Sequence, residues 1–300
     1  MHALLIGCGN IGAMYDFEND NITTHAKMYQ HYNFQVDIVE PDEIKATKVI
    51  EKYGYSLVEY QKSNLGKYDY ISICVPTQHH FSYLIDSLKA EVPLIICEKP
   101  VSFSLKELNE LLSSYKNRKS KVLVNYMRRF QKSYKELSEQ IKRSNEPLQA
   151  IYCSYYKGLL NYASHAVDII TFLTGFKLNA EEIIELKRKY DYFKFDPTIT
   201  FAGQQDNVNY HFLGLGVQYP IFEIELFFPS YRVHLTCNGS TVNIYRNNNL
   251  LYQNKRALKN YMLDVMSEAE KLYHKENKND NFEESIQLNK MLLNIIKKRE

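Results

Sequence analysis

Three glycines near the N-terminus have the spacing of a phosphate-binding turn. They follow the apolar run at residues 4–6, and three of the 11 glycines of the chain fall within six residues. In such a turn the first glycine permits a tight bend, the second lets a pyrophosphate approach the backbone, and the third lets the next helix pack closely against the strand. The pattern predicts a strand that turns directly into a helix whose amides face a dinucleotide. The expected contacts are Gly7, Gly9, Asn10, Ile11 and Gly12.

Glu40 ends the second predicted strand, residues 34–40. A carboxylate there accepts hydrogen bonds from the adenosine ribose and repels a 2′-phosphate, which favours NAD over NADP. Two unit charges about 4 Å apart interact by roughly 1 kcal/mol in water and about 4 kcal/mol near a protein surface. The alternative is a solvated acid at a strand end, because a polar insertion at residues 15–24 lengthens the usual interval from Gly12 to this carboxylate.

Lys99 follows the predicted strand at residues 93–97. An ammonium group at the carboxyl edge of a parallel sheet can hydrogen-bond a reacting oxygen and stabilise the charge that develops on it. Pro100 biases Lys99 toward an extended conformation. The alternative is a lysine on a surface loop, but the flanking Glu98 and Pro100 favour a catalytic role.

His165 lies on a predicted helix, residues 160–173, four residues after Asn161 and three before Asp168. The three side chains therefore share one helix face. An imidazole beside a substrate hydroxyl can act as a general base in oxidation or as a general acid in reduction. A single helical histidine is more often a packing or capping residue, so the residues alone leave both interpretations open.

The pair Arg128-Arg129 follows the sixth predicted strand. Arg128 can bind a phosphate or carboxylate of a substrate, or the pair can form a solvated basic face. No spacing of histidines and cysteines resembles a metal site, so we expect no metal ion.

Strands and helices alternate through the first 145 residues, which predicts a doubly wound parallel sheet. From residue 148 the pattern changes to a strand, the helix of His165, and a series of alternating strands over residues 182–252, which predicts a mostly antiparallel sheet. Two amphipathic helices close the chain, at residues 257–274 and 282–298. We therefore predict an α/β fold with a Rossmann domain at residues 1–125 and an α+β domain at residues 126–300. The C-terminal helices are candidates to pack back on the first domain.

The composition excludes several classes of partner. A length of 300 residues favours two domains, and 37 basic against 35 acidic residues argue against binding to nucleic acid or to an anionic membrane. Residues 1–3 lead into the first strand without a secretory signal pattern, and no apolar run approaches a membrane span. We therefore expect a cytoplasmic protein whose five scattered cysteines are reduced thiols.

Four segments together resemble the successive signatures of the Gfo/Idh/MocA oxidoreductases, the group of glucose-fructose oxidoreductase and inositol dehydrogenase. They are the glycine turn, Val75-Pro76-Thr77 with His80, Cys97-Glu98-Lys99-Pro100, and residues 158–168 around His165. The order and spacing match over roughly residues 1–175. The chain departs from the family at Asn161, where the family most often has an aspartate, and in a shorter C-terminal domain.

The resemblance implies a Rossmann domain, a second domain whose open sheet often forms an oligomer interface, and oxidation or reduction of a sugar or cyclitol hydroxyl with a pyridine nucleotide. It also implies that the loop of Pro76 passes the nicotinamide ribose. The further cofactor candidates are therefore Pro76, Thr77, His80, Glu98 and Lys99, and the substrate candidates are Asn161, Asp168 and Arg128.

We expect an NAD-dependent oxidoreductase that transfers a hydride between nicotinamide and a hydroxyl or keto carbon of a sugar or nucleotide-linked sugar. The alternatives are a cyclitol dehydrogenase, a sensor that binds NAD and sugar without turnover, and a glycosidase that uses tightly held NAD for a transient redox step. We also expect a homodimer or homotetramer formed through the C-terminal sheet.

Overall fold

The computed structural model describes residues 1–116, 119–255, 258 and 260–298, and the chain divides into two compact units. The first unit consists of residues 1–127 and 260–287, and the second of residues 128–259 and 288–300. The predicted start of a helix at Ala257 lies outside the described residues.

The first unit contains a sheet of six parallel strands in the order β3-β2-β1-β4-β5-β6. The central strands form from apolar runs whose side chains are buried on both faces of the sheet, as expected for a parallel sheet covered by helices. Their bounds are β1 (His2–Ile6), β2 (Gln35–Val39), β3 (Ser56–Leu57), β4 (Tyr70–Ile73), β5 (Leu94–Cys97) and β6 (Lys121–Val124). The strand order reverses between β1 and β4, which places a ligand crevice at their carboxyl ends.

In the described part of the first unit, five α-helices lie wholly within it: α1 (His25–His31), α2 (Glu43–Tyr53), α3 (His80–Lys89), α4 (Leu105–Lys116) and α7 (Tyr261–Tyr273). Helix α2 shows how local sequence sets the bounds. Asp42 caps its start by accepting a hydrogen bond from Lys45 N, and Gly54 ends it in the left-handed conformation, with φ of 71°.

The second unit contains an eight-stranded sheet in the order β14-β13-β12-β11-β7-β10-β9-β8. Among the described strands of this second sheet, only β7 and β10 pair in parallel, and the other neighbours are antiparallel. The strands are β7 (Ala150–Tyr156), β8 (Ile183–Lys189), β9 (Thr198–Gln205), β10 (Val208–Leu215), β11 (Phe222–Phe227), β12 (Tyr231–Thr236), β13 (Thr241–Arg246) and β14 (Asn249–Asn254). Buried residues alternate with more exposed ones along β11 and β12, so one face of the sheet carries the core.

Helices α5 (Lys132–Ser144) and α6 (Ser164–Thr174) belong to this unit, and α8 (Phe282–Lys297) begins in the first unit and contributes its residues from position 288 to the second. Gly175, with φ of 75°, ends α6. The predicted α/β fold, with a Rossmann sheet followed by a mostly antiparallel sheet, is confirmed.

Candidate cofactor and catalytic site

The glycine turn after β1 has no room for side chains at two of its three glycines. Gly7 has φ of +93°, and a Cβ there would lie 2.9 Å from the carbonyl carbon of Cys74. A Cβ at Gly12 would lie 2.1 Å from the carbonyl oxygen of Gly7. A Cβ at Gly9 would meet nothing within 4 Å, so this backbone is open to an approaching group. The three glycines thus fit the bend, the close packing and the open approach that a dinucleotide pyrophosphate requires.

The helix after this turn is short. A single π-helical turn, Asn10–Met14, ends where the polar insertion begins, and the next helix is α1. The strand thus passes into a helical turn as predicted, and Asp16 closes the polar insertion that follows into a compact loop. Its carboxylate is fully buried and accepts hydrogen bonds from the amides of Thr23 (2.6 Å) and Thr24 (2.8 Å). Individual amide groups, rather than the dipole of a long helix, are therefore the donors available to a phosphate here.

Glu40 lies at the carboxyl end of β2 and faces the glycine turn. Its Oε2 accepts a hydrogen bond from Cys8 N at 2.7 Å, and its Oε1 accepts one from Asp42 N at 3.0 Å. Each carboxylate oxygen can accept more than one bond, so both retain capacity for ribose hydroxyls. Burial, followed by the charge of Glu40, raises the pKa of the Cys8 thiol to about 12, which keeps this thiol neutral.

Glu98 is buried at the end of β5, next to the half-buried Lys99. Its Oε1 accepts hydrogen bonds from His25 Nε2 (3.0 Å) and Asn125 Nδ2 (2.7 Å). Burial by itself would raise the pKa of Glu98, but the hydrogen bond and charge of His25, the bond from Asn125 and the charge of Lys99 outweigh it and lower the pKa. The described partners of Glu98 thus belong to the protein interior, and its predicted contact with the cofactor stays a prediction.

His25 continues this network into the core. Its Nδ1 lies 2.9 Å from Ser72 Oγ, which lies 2.7 Å from the Tyr29 hydroxyl. Nε2–H of His25 donates to Glu98, and the hydroxyl groups of Ser72 and Tyr29, each able to donate and to accept, complete the network at Nδ1. The proton on Nε2 is assigned from the hydrogen-bond network.

His80 connects the two loops that carry the remaining cofactor candidates. Its ring is buried, with Nε2 at 2.8 Å from Val75 O and Nδ1 at 2.9 Å from Pro100 O. Burial lowers the pKa of His80, against the raising effect of both carbonyl groups. Pro76 is exposed and Thr77 is half-buried, so these two are open to a ligand, whereas His80 is placed to hold the loops.

In the second unit, Asn161, His165 and Asp168 lie on one continuous helical run. The π-helical turn Leu159–Ala163 passes directly into α6. The buried carboxylate of Asp196 accepts hydrogen bonds from Leu160 N at 2.7 Å and Asn161 N at 2.8 Å, which caps the start of the run. Gly158, with φ of +89°, is required beside it, because a Cβ would lie 2.2 Å from Asp196 Oδ2.

Asp168 forms a buried ion pair with Arg129. Arg129 Nη2 lies 2.8 Å from Asp168 Oδ1, and Arg129 Nε donates to Oδ2 at 3.2 Å. Arg128 is also buried, with Nη2 donating to Asn238 O at 2.7 Å and its guanidinium 4.1 Å from the centre of the Phe222 ring.

Asn161 and His165 are half-buried, and the ring of Tyr162 lies 6.5 Å from that of His165. Asn161 and His165 are therefore more accessible to a substrate than the two buried candidates, Arg128 and Asp168.

Comparison with known proteins identifies the first part of the chain. Residues 1–126 match the family model described as an oxidoreductase family with an NAD-binding Rossmann fold, GFO_IDH_MocA. These residues belong to the Gfo/Idh/MocA oxidoreductases. The resemblance inferred from the glycine turn and the Glu-Lys-Pro segment is confirmed.

A curated relative is 25% identical over 187 residues, the uncharacterized oxidoreductase YrbE of Bacillus subtilis (strain 168). The match covers 57% of this chain and 53% of YrbE, so the chain spans about half the length of that relative.

Solved structures of Gfo/Idh/MocA-like proteins share the fold over nearly the whole chain. KijD10, a 3-ketoreductase from Actinomadura kijaniata solved with NADP, is 13% identical, with a TM-score of 0.74 and coverage of 97% of this chain and 95% of its own. UDP-N-acetylglucosamine 3-dehydrogenase GnnA from Acidithiobacillus ferrooxidans is 15% identical, with a TM-score of 0.74 and coverage of 98% and 96%. At these identities the likeness establishes the fold alone.

Two other kinds of site are absent from the described part of the chain. None of its helices is long and apolar enough to cross a membrane. Nor does it contain a group of three histidine, cysteine, aspartate or glutamate side chains that could hold a metal ion. All five cysteines lie among the described residues and are free thiols, four of them buried.

Four polar residues were given no role from the sequence: Asp16, His25, Asn125 and Asp196. Thr24 is an N-cap signal that would have located α1 and drawn attention to His25. No sequence signal joins His25 to Glu98, which lies 73 positions away.

Proposed function

We propose that this chain is an NAD-dependent oxidoreductase that transfers a hydride between nicotinamide and a hydroxyl or keto carbon of a sugar or nucleotide-linked sugar. The observation that carries the proposal is the open backbone at Gly9, enclosed by Gly7 and Gly12 and joined to Glu40 through Cys8 N. When bound, the nicotinamide supplies the carbon that accepts or gives the hydride. The turn would hold the pyrophosphate, Glu40 the adenosine ribose, and the loop of Pro76 and Thr77 the nicotinamide ribose.

The preference for NAD follows from the charge of Glu40. A carboxylate that accepts hydrogen bonds from ribose hydroxyls repels a phosphate in place of the 2′-hydroxyl. The structural neighbour KijD10 was solved with NADP, so the preference calls for direct measurement. Calorimetric titration should give a lower dissociation constant for NAD than for NADP. Equal affinity, or tighter binding of NADP, would remove Glu40 from the ribose site.

Two side chains are assigned to the chemistry. Lys99 would donate a hydrogen bond to the reacting oxygen and stabilise negative charge on it. His165 would take the proton of the substrate hydroxyl in oxidation and return it in reduction. Asn161 would orient the substrate, because an amide donates and accepts hydrogen bonds but does not take a proton. Asp168 and Arg128, both buried, would act by fixing the helix and the adjoining turn.

The substrate class rests on the structural neighbours. KijD10 is a 3-ketoreductase and GnnA acts on UDP-N-acetylglucosamine, which supports a sugar or nucleotide-linked sugar as substrate here. The deciding experiment is a panel of free sugars, nucleotide-linked sugars and cyclitols, followed at 340 nm with NAD and with NADH. We expect turnover with a member of the first two groups. Turnover with cyclitols alone would establish a cyclitol dehydrogenase instead.

A sensor without turnover is the second candidate, favoured by one observation. Asn161 stands where an ionisable aspartate is most often found in the family, so a proton-transfer group is missing from the helix of His165. This candidate predicts that NAD and a sugar bind while the absorbance at 340 nm stays constant for every compound in the panel.

We also propose that the protein forms a homodimer or homotetramer through its eight-stranded sheet. Both edge strands carry exposed apolar side chains, including Ile184 and Leu186 on β8 and Leu251 on β14. Light scattering after size-exclusion chromatography should give a multiple of the chain mass of 35.3 kDa. The mass of one chain would contradict the proposal.

A further inference from the structure

A lysine five residues after the candidate ribose-binding carboxylate is held in an ion pair. Lys45, in the first turn of α2, places its Nζ 2.9 Å from Asp42 Oδ2. The other oxygen of Asp42, Oδ1, accepts a hydrogen bond from Lys45 N at 3.1 Å. The same carboxylate therefore binds both the backbone and the ammonium group of one residue, which restricts where that ammonium can go.

This pair adjoins the glycine turn through Glu40. Asp42 N donates to Glu40 Oε1, and Cys8 N donates to Glu40 Oε2. Hydrogen bonds from Lys45 hold the pKa of Asp42 below its ordinary value, and the contact with Asp42, followed more weakly by the charge of Glu40, raises the pKa of Lys45. Lys45 thus feels the charges of both carboxylates at the position where Glu40 would bind the adenosine ribose.

Rossmann sites that accept a 2′-phosphate use a nearby cation in place of the ribose-binding acid. Here a cation is present, but two carboxylates, Glu40 and Asp42, accompany it, and one of them is bonded to it. The net charge of these three side chains is therefore −1. An incoming phosphate would have to displace Asp42 from Lys45 while facing both acids.

We propose that Asp42 is a specificity-determining residue, which withholds Lys45 from a 2′-phosphate and so adds to the rejection of NADP by Glu40. The inference rests on the proposed function, since it presupposes that a dinucleotide occupies the glycine turn. It makes a prediction that the charge of Glu40 alone does not: the contribution of Lys45 to 2′-phosphate binding depends on whether Asp42 is present.

The test uses Asp42→Asn, Lys45→Met and the double variant in the full-length protein. Asparagine is as good an N-cap as aspartate, so Asp42→Asn removes the charge and keeps the cap of α2. The ligands are ADP-ribose and 2′-phospho-ADP-ribose, which differ only at the 2′ position and lack nicotinamide. Calorimetry gives the ratio of the two dissociation constants for each variant.

We expect Asp42→Asn to shift this ratio about tenfold toward the 2′-phosphorylated ligand, the size of the interaction between one unit charge and a dianion about 6 Å apart in water. Lys45→Met should weaken binding of 2′-phospho-ADP-ribose less than about threefold when Asp42 is present, and about tenfold in combination with Asp42→Asn. The shift should shrink as ionic strength rises.

Glu139→Gln is the matched control, because Glu139 forms an exposed ion pair with Arg143 in the second unit and its substitution changes the net charge by the same amount. It should leave the ratio unchanged. Additive effects of Asp42→Asn and Lys45→Met, or no shift with Asp42→Asn, would overturn the inference while leaving dinucleotide binding intact. Failure of the unaltered protein to bind ADP-ribose would overturn the proposed function as well.

Discussion

The side chain of Lys99 is partly exposed, whereas its two neighbours in the chain are held in place by hydrogen bonds. It is half-buried, while its neighbour Glu98 is tied on the interior side by His25 and Asn125, and Pro100 O lies against the buried ring of His80. The side chain of Glu98 and the carbonyl group of Pro100, on either side of the lysine, are therefore held by buried hydrogen bonds. An ammonium group on such a support needs little reorganisation to meet a developing charge.

Lys99→Met should lower kcat by orders of magnitude and leave the affinity for NAD nearly intact, because the proposed role of the ammonium is exerted on the reacting oxygen. Steady-state kinetics and calorimetry with NAD separate the two effects. Lys106→Met, on the first turn of α4, is a control for the loss of one positive charge. Unchanged turnover in Lys99→Met would remove the catalytic assignment.

Asn161 and His165 should respond differently to truncation. Asn161→Ala should mainly raise KM, whereas His165→Ala should mainly lower kcat, because one is proposed to orient the substrate and the other to move its proton. Asn161→Asp should be tolerated or increase turnover. If activity at 340 nm appears only in Asn161→Asp, Asn161 marks lost catalysis and the sensor is the better account.

Among the secondary-structure elements, the helix that carries His165 is capped at its start by a carboxylate from a segment distant in sequence. Asp196 lies 35 positions after Asn161 and accepts a hydrogen bond from the backbone amide of Asn161. Gly158, which has no side chain, leaves space for the Asp196 carboxylate. Two helix amides that would otherwise lack an intrahelical partner are satisfied in this way. The position of Asn161 in space thus depends on a residue outside its own motif.

Gly158→Ala should reduce the free energy of unfolding by about 2 kcal/mol or more, because it combines a strained positive φ with a steric conflict at Asp196. Asp196→Ala should cost about 1–3 kcal/mol through the lost amide partners. Since Asp196→Ala removes the atoms that an added Cβ would meet, the double variant should be less destabilised than the sum of the two. Urea denaturation measures all three, and a purely additive result would show that the steric conflict is unimportant.

At the scale of the whole molecule, the first unit is discontinuous in sequence. Helix α7 returns to it after residues 128–259, the larger segment of the second unit. Tyr273 of this helix donates to Asp69 Oδ1 at 2.9 Å and stacks on the buried Tyr70, with ring centres 5.1 Å apart. The C-terminal segment is therefore part of the structure that supports the Rossmann sheet.

Tyr273→Ala should lower the free energy of unfolding by about 1–3 kcal/mol, the sum of one aromatic pair and one hydrogen bond. Tyr219→Ala serves as the control, because that ring is 60% exposed. Urea denaturation followed by circular dichroism compares the two variants. Equal stabilities would contradict a supporting role for α7.

The fold class, the likeness of residues 1–126 to the oxidoreductase family and the glycine turn could all be predicted from the sequence. These features depend on local information. Apolar runs form buried strands, and the spacing of Gly7, Gly9 and Gly12 meets the steric requirements of a single phosphate-binding turn. The roles of the glycines could be stated in advance because each one concerns backbone space within a short stretch of chain or against the adjacent strand.

The tertiary structure alone decided which polar groups meet. It joined His25 and Asn125 to Glu98, paired Asp168 with Arg129, placed Asp196 at the start of the His165 helix, and closed the insertion on Asp16 after one helical turn. Buried polar groups must find partners wherever the packed chain brings a donor and an acceptor together. The two residues of such a hydrogen-bonded pair are often far apart in the sequence, so periodicity and local spacing do not predict which residues will pair.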